Sequence, residues 1–325
     1  EAAVTHTSAA CYDRGMTQPT QNQRTGAMPP TPAIPEGYQP FTHSGPFGDC
    51  IGPFYFRRRP SGGFRYAFQT GALHANPNGV THGGALYCFA DHITGHAVVN
   101  QTERMCATIK FKVEYLASAP LDSLVEAEVD LLRITRTVVF LRLRLFTADR
   151  TLMTANGVYK LFAPFKPGQG GAAKPAGPPP DDIRLPPPKG FQPFPNQAAF
   201  AELCGPTHYS RPPEGGFLNG FQARPLHDNT NRIVHGGVLF SFADDIMGRA
   251  SSGASRRFTT TVALNVEYLD SAPLDAWVGG KTEVSYMDDD IAFMRGRVYH
   301  GERTLLTADG VYKLLGPYQN PEAAA

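Results

Sequence analysis

Apolar residues in the stretch 84–99 recur at helical spacing: Leu86, Phe89, Ala90, Ile93 and Ala97 form one stripe, which predicts a helix from about Gly84 to Val99. The same stripe returns at Leu239, Phe242, Ala243, Ile246 and Ala250. Downstream of the first stripe the rhythm shortens to two. Leu141, Leu143 and Leu145 alternate with Phe140, Arg142, Arg144 and Phe146, the mark of a strand with one buried face and one partly wet face. Four strands are predicted after the helix, over 108–116, 124–134, 138–147 and 154–162. Sequential strands on short turns imply an antiparallel sheet, and one long apolar helix against such a sheet is an α+β layer arrangement.

The chain carries this unit twice. His82-Gly83-Gly84 returns as His235-Gly236-Gly237, an offset of 235 − 82 = 153. The same offset joins Gly52-Pro53 to Gly205-Pro206, Glu114-Tyr115-Leu116 to Glu267-Tyr268-Leu269, and Gly157–Leu161 to Gly310–Leu314. Aligning 47–162 on 200–315 needs no gap and gives 49 identities in 116 positions, so the chain is a tandem duplication. A period this long means two domains rather than a solenoid. The expected organisation is a disordered arm over 1–40, one domain over 41–165, a Pro/Gly-rich linker over 166–199, a second domain over 200–318, and a tail over 319–325. Residues ahead of Met16 read as lying before the natural start. The linker holds Pro178-Pro179-Pro180 and Pro186-Pro187-Pro188, which favour a semi-rigid extended spacer long enough for the halves to pack side by side.

Composition narrows the function classes. With 325 residues, 42% hydrophobic and 18% charged, the chain can build a globular core. A net charge of +1 offers no nucleic-acid footprint. No run of 18 apolar residues suggests a membrane span, and the polar, Pro-rich N-terminus has no stretch of signal-peptide character. The five cysteines (Cys11, Cys50, Cys88, Cys106, Cys204) are odd in number and lack C-x-x-C spacing. They read as free thiols of a reduced, cytoplasmic compartment, and no Cys/His cluster has zinc spacing.

The candidate chemistry sits at the two helix starts. A first helical turn presents unpaired N–H groups and the positive end of the helix dipole, and glycine lets a ligand approach that backbone. Donors at Gly83 and Gly84, or at Gly236 and Gly237, would stabilise the negative charge that gathers on a carbonyl oxygen under attack. The bland use of these glycines is a tight strand-to-helix junction. Asp91 and Asp244 each lie in an apolar helical stretch, where an acid is unfavourable unless paired or used, and where burial would raise its pKa toward that of a general base. Asp91 lies eight residues after Gly83, about 12 Å along a helix, so it cannot reach a carbonyl held at its own N-terminus. Two antiparallel helices related by a twofold axis would bring Asp244 to Gly83 and Asp91 to Gly236.

A helix opening on His-Gly-Gly, an Asp nine residues after the His, and antiparallel strands following resemble a hot-dog domain, most closely the phenylacetate-degradation-type thioesterases. The resemblance covers about 47–162 and 200–315, and implies a double hot-dog acyl-CoA thioesterase of fatty-acid or aromatic-acid metabolism. It implies active sites shared between the halves, with coenzyme A as part of the substrate and no separate cofactor or metal. Pairing of two such chains into a larger assembly is implied as well. By the same resemblance Asn76 and Asn229 would help hold the carbonyl or the water, and Thr108 and Thr261 would orient that water beside the acid. Loop hydrogen bonding and ordinary β-propensity are the plain alternatives for these residues. His82 and His235 are expected to bridge loop and helix start and, with Gly84 and Gly237, to contact the substrate.

One site would then hold Asn76, Gly83, Asp244 and Thr261, and the other Asn229, Gly236, Asp91 and Thr108. Water attack assisted by Asp, and direct attack by Asp through an anhydride, are both open. The sites differ nearby, since His92 answers Asp245 and His96 answers Arg249, so unequal activities are expected. Arg57, Arg58, Arg59, Arg104, Arg256 and Arg257 are candidate cations for the CoA phosphates, with surface use the ordinary reading and none singled out as a ligand. Tyr87, Phe89, Phe240, Phe242 and Trp277 read as core first and acyl-pocket walls second. The competing readings are a non-catalytic acyl-CoA-binding module and an enoyl-CoA hydratase of the same fold. For the latter, Asn76-Pro77 is a fragment of its motif, but His74 and Gly79 stand where its Asp and His belong.

Overall fold

The computed structural model describes residues 34–41, 44–164, 185–195, 197–213, 217–229 and 231–317. The arm up to residue 33, spacer residues 165–184, Cys11, Gly215, Gly216, Thr230 and the tail from 318 lie outside the described residues.

Each half repeats one order of elements. The first runs β1 (Gln39–Pro40), α1 (Gly45–Ile51), β2 (Phe54–Arg58), β3 (Phe64–Gln69), a 3₁₀ turn (Ala72–His74), α2 (Gly83–Thr102), β4 (Arg104–Tyr115), β5 (Leu124–Ile134), β6 (Val138–Phe146) and β7 (Thr151–Pro164). The second runs β8 (Gln192–Pro193), α3 (Ala199–Leu203), β9 (His208–Ser210), β10 (Leu218–Gln222), a 3₁₀ turn (Pro225–His227), α4 (Gly236–Ser255), β11 (Arg257–Tyr268), β12 (Trp277–Met287), β13 (Ile291–His300) and β14 (Arg303–Pro317). The architecture is α+β, as the two periodicities predict. The strand expected at 124–134 has those bounds, while β4 and β7 reach further than the alternation alone suggested. Within the segment read as linker, β8 pairs with β9 at the sheet edge.

The described strands form one antiparallel sheet in the order β1-β2-β3-β5-β6-β7-β4-β11-β14-β13-β12-β10-β9-β8. The halves join where β4 pairs with β11, in a register that sets Lys112 opposite Asn265. These two residues are equivalents under the 153-residue offset, so a near-twofold axis passes between them. In β6 the leucines 141, 143 and 145 point to the core while Phe140, Arg142 and Arg144 stay exposed, as the alternation predicts, whereas Phe146, expected on the same face as the arginines, is buried.

The long helices are buried more widely than one stripe. Every residue from Gly84 to Ala90 is buried, because α2 meets the sheet on one side and α4 on the other. Tyr87 stacks on its own equivalent, Phe240, with ring centroids 3.5 Å apart and planes within 3°. Gly84 approaches Ser241 while Gly237 approaches Cys88, so the helices run antiparallel. Each short helix also docks on the other half: Phe47 N–H donates to Asp228 O at 3.2 Å, and Phe200 N–H to Ala75 O at 3.4 Å. Cys88, Cys106 and Cys204 are free thiols.

Candidate active site

Each long helix begins after a histidine cap. His82 Nδ1 accepts the Gly84 N–H at 2.9 Å, and His235 Nδ1 accepts the Gly237 N–H at 2.9 Å. An Nδ1 that accepts leaves any ring proton of a neutral imidazole on Nε2. The capping corrects one expectation. The amides of Gly84 and Gly237 are taken up by their own caps and do not stand ready for a substrate. Their glycine character serves the helix crossing instead, since a Cβ at Gly84 would collide with Ser241 Oγ, and one at Gly237 with Cys88 Sγ. The amides of Gly83 and Gly236 have no partner among the described residues, so each helix start offers one free donor backed by its dipole. Tyr115 OH donates to Gly83 O at 2.8 Å and Tyr268 OH to Gly236 O at 2.9 Å, which fixes the orientation of each turn.

The carboxylates face across the halves. A Cβ built on Gly236 would lie 3.2 Å from Asp91 Oδ2, so the acid of α2 stands over the first turn of α4. By the near-twofold relation Asp244 stands toward the turn of α2, where it interacts electrostatically with His82 and Tyr115. Both acids are held by one oxygen. Asp91 Oδ1 accepts from Thr108 Oγ1 at 2.7 Å and Tyr159 OH at 3.2 Å. Asp244 Oδ1 accepts from Thr261 Oγ1 at 2.7 Å and Tyr312 OH at 2.9 Å. Oδ2 of each takes no bond from the described residues and remains available as a proton acceptor.

Burial raises the Asp244 carboxyl above its ordinary range. The nearby His82 and the hydroxyls of Thr261 and Tyr312 pull it back, and Asp245 adds to the rise. His235 is lowered by burial, with Asp91 opposing. His92 is pushed down to about 3, first by burial and then by His235 and His96, so its ring is neutral near pH 7.

Thr108 and Thr261, which the resemblance gave as water-orienting groups beside the acid, donate to the carboxylates directly. Asn76 and Asn229 are mainly turn residues. Asn76 Oδ1 accepts from Asn78 N at 2.9 Å and Val80 N at 3.2 Å, and Asn229 Oδ1 accepts from Asn231 N at 2.7 Å and Ile233 N at 3.4 Å. Only their amide nitrogens are left to face a ligand. The four tyrosines 115, 268, 159 and 312 were not singled out from sequence. Their signal was there: each is repeated at the 153 offset, inside the Glu-Tyr-Leu and Gly-Val-Tyr-Lys-Leu matches.

Two of the arginines considered for CoA are structural. Arg104 Nη1 donates to Arg136 O at 2.8 Å, and its equivalent Arg257 donates to Asp289 O, which closes the strand ends. Tyr87, Phe89, Phe240 and Phe242 are core residues, each at most 3% exposed. Among the described residues, no group of three or more His, Cys, Asp or Glu could hold a metal ion, and no helix is long and apolar enough to cross a membrane.

The thioesterase superfamily model matches the chain twice, over 78–154 and 231–307, spanning both His-Gly-Gly turns and both acids. A Pseudomonas aeruginosa protein named "Putative esterase" is 28% identical over 130 residues, which is 97% of that protein and 39% of this chain. A hot-dog protein of unknown function from Alicyclobacillus acidocaldarius superposes with a TM-score of 0.59 at 16% identity, over 83% of this chain and 98% of that one. An acyl-CoA thioesterase II from Mycobacterium marinum superposes with a TM-score of 0.51 at 10% identity, over 82% and 96%. At such identities these two structures speak for the fold, while the doubled family match speaks for ancestry. The chain belongs to the thioesterase superfamily, as a tandem protein with two hot-dog domains.

Proposed function

We propose that this protein hydrolyses acyl-CoA thioesters to a free acid and CoA, at two sites shared between its halves. The observation that carries the reading is the placement of Asp91 Oδ2 over the first turn of the opposite helix, beside the unpartnered Gly236 amide. A thioester carbonyl set against that amide receives a hydrogen bond and the helix dipole as its oxygen becomes anionic. A water between the carbonyl carbon and Oδ2 adds to the carbon and gives its proton to the carboxylate. The tetrahedral intermediate then collapses, the C–S bond breaks, and the carboxylic proton passes to the departing thiolate or to solvent.

Two hydroxyl donors on Oδ1 orient the carboxylate and stabilise its charge, which favours the base role over attack by the carboxylate itself. The second site uses Gly83 and Asp244 in the same manner, with Asn76 and Asn229 supplying amide donors from the loops. A binding module has no use for two acids, one half-buried and one buried, held toward the glycine turns, so catalysis is the better reading.

The test is thiol release from short, long and aryl acyl-CoAs, by the unsubstituted protein and by the Asp91→Asn/Asp244→Asn double variant. Release that the double variant lacks supports the proposal. Tight acyl-CoA binding without release from any of them would replace it with the module reading.

A further inference from the structure

Tyr87 and Asp91 are four residues apart on α2, one turn above the other on a single face. Their equivalents on α4 are Phe240 and Asp244, so the two pairs differ by one hydroxyl. That hydroxyl is engaged. Tyr87 OH lies 2.8 Å from Tyr268 OH, and Tyr268 OH lies 2.9 Å from Gly236 O. A carbonyl oxygen can only accept, so Tyr268 spends its single proton there and Tyr87 donates to Tyr268. Two hydrogen bonds in series therefore tie α2, through β11, to the first turn of α4. In a buried setting each strengthens the other. Phe240 has no proton to offer in return. Among the described residues, Tyr115 OH makes one hydrogen bond, to Gly83 O at 2.8 Å.

The two glycine turns differ in the way this link would produce. At Gly236 the side-chain atom nearest to where a Cβ would lie is Asp91 Oδ2 at 3.2 Å, and Tyr268 stands behind it, with Cε1 at 3.4 Å. At Gly83 the three nearest atoms all belong to Tyr115, with Cζ and OH at 3.1 Å and Cε1 at 3.3 Å. No atom of Asp244 comes nearer than these. Where the tyrosine is held by a second hydroxyl, it stands back and the acid comes forward. Where it is not, the ring leans over the turn.

We propose that Tyr87 is a positioning residue: through Tyr268 it fixes the first turn of α4 relative to α2, sets Asp91 beside the Gly236 amide, and makes the Gly236 site the faster of the two. This rests on the hydrolase reading above. Tyr87 does not touch the reacting atoms. It acts through the turn that carries the oxyanion donor and through the helix that carries the base, so its loss falls on kcat rather than on KM.

The test measures thiol release from butanoyl-CoA, octanoyl-CoA and benzoyl-CoA with one site at a time. Asp244→Asn reports the Gly236 site and Asp91→Asn the Gly83 site, and kcat should be higher in the former. Adding Tyr87→Phe, which keeps the stack on Phe240, should lower kcat at the Gly236 site by about three- to tenfold with KM little moved, the span expected of one buried hydrogen bond. The fall at the Gly83 site should be smaller. Phe240→Tyr in the Asp91→Asn background supplies the missing hydroxyl and should raise kcat there. If that variant fails to fold, Tyr87→Phe decides alone. An equal fall at both sites overturns the proposal, because it marks Tyr87 as packing for the whole helix crossing. So does an effect confined to KM, no effect at all, or a folded Phe240→Tyr that gains nothing. Any of these leaves the hydrolase reading standing while thiol is released, whereas no release from any probe by the unsubstituted protein removes both.

Discussion

Two glycines in the long helices should respond in opposite senses to the same change. Gly95 sits within α2 with nothing within 4 Å of where a Cβ would be. Gly95→Ala there gains helix propensity without collision, and is expected to stabilise the protein by about 0.5–1 kcal/mol. Gly237 lies in the first turn of α4 at the helix crossing. A Cβ there would lie 3.1 Å from Cys88 Cβ and collide with Cys88 Sγ, both on the opposing helix. Gly237→Ala therefore overpacks the seam, at about 1–3 kcal/mol. At roughly 2–4 °C per kcal/mol for a protein of this size class, the melting temperatures of the two variants should separate by several degrees.

Because the crossing sets the height of Asp91 above Gly236, Gly237→Ala should also lower kcat, whereas Gly95→Ala should leave it near that of the parent. The cause can be isolated by a double-mutant cycle. Cys88→Ala deletes the Sγ that Gly237→Ala strikes, so the pair should lose less stability than the sum of the single changes. The assay is thermal or urea unfolding of the four proteins, with thiol release measured on each. If Gly237→Ala stabilises as much as Gly95→Ala, or if the cycle is additive, the close helix crossing described above is wrong.

Other outcomes follow from the two carboxylates. Separate Asp91→Asn and Asp244→Asn variants should retain unequal thiol-release rates, because Asp244 is buried and neighboured by Asp245 while Asp91 is neighboured by His92; equal residual rates would refute this. With Asp91→Asn in place, activity should fall as pH drops through the raised Asp244 pKa, and Tyr312→Phe should move that fall to higher pH by removing a donor to the ionised form. A pH profile of kcat/KM unmoved by Tyr312→Phe counts against the base role. The same raised pKa means that the folded chain holds this proton more tightly than the unfolded chain. Its stability contribution declines as pH rises from the unfolded pKa through the folded one. Asp244→Asn should therefore raise the melting temperature at pH 7, and the difference should shrink in acid. A constant difference across pH would show that the carboxylate is not under burial strain.

Much of the fold was legible because duplication states each feature twice. A gap-free offset located both helices, and the rise per residue excluded Asp91 from the first turn of its own helix. What stayed hidden depends on contacts between distant strands. Tyr159 and Tyr312 lie on β7 and β14, where tyrosine is ordinary, and nothing local shows that their hydroxyls reach an aspartate 68 residues earlier. Gly84 looked like a second oxyanion donor because a helix start has several free amides, and whether a cap consumes one depends on the His82 rotamer. The single apolar stripe understated burial because periodicity registers the packing against a sheet but not a second helix crossing above it. The strand at Gln192–Pro193 was hidden by its proline, which an edge strand tolerates since one side of it needs no donors.

Fusion into a single polypeptide has left a trace at the seam strands. In a pair of identical subunits, whatever residue sits on the rotation axis must confront its own copy, so a lysine there would oppose a lysine, an arrangement that destabilises a sheet. Here Lys112 looks across at Asn265 and makes its ion pair within its own strand, with Glu114 at 2.9 Å. One gene encoding both partners allows an axial position to be mismatched, and that freedom extends to every residue an ancestral homodimer would have been obliged to keep in duplicate.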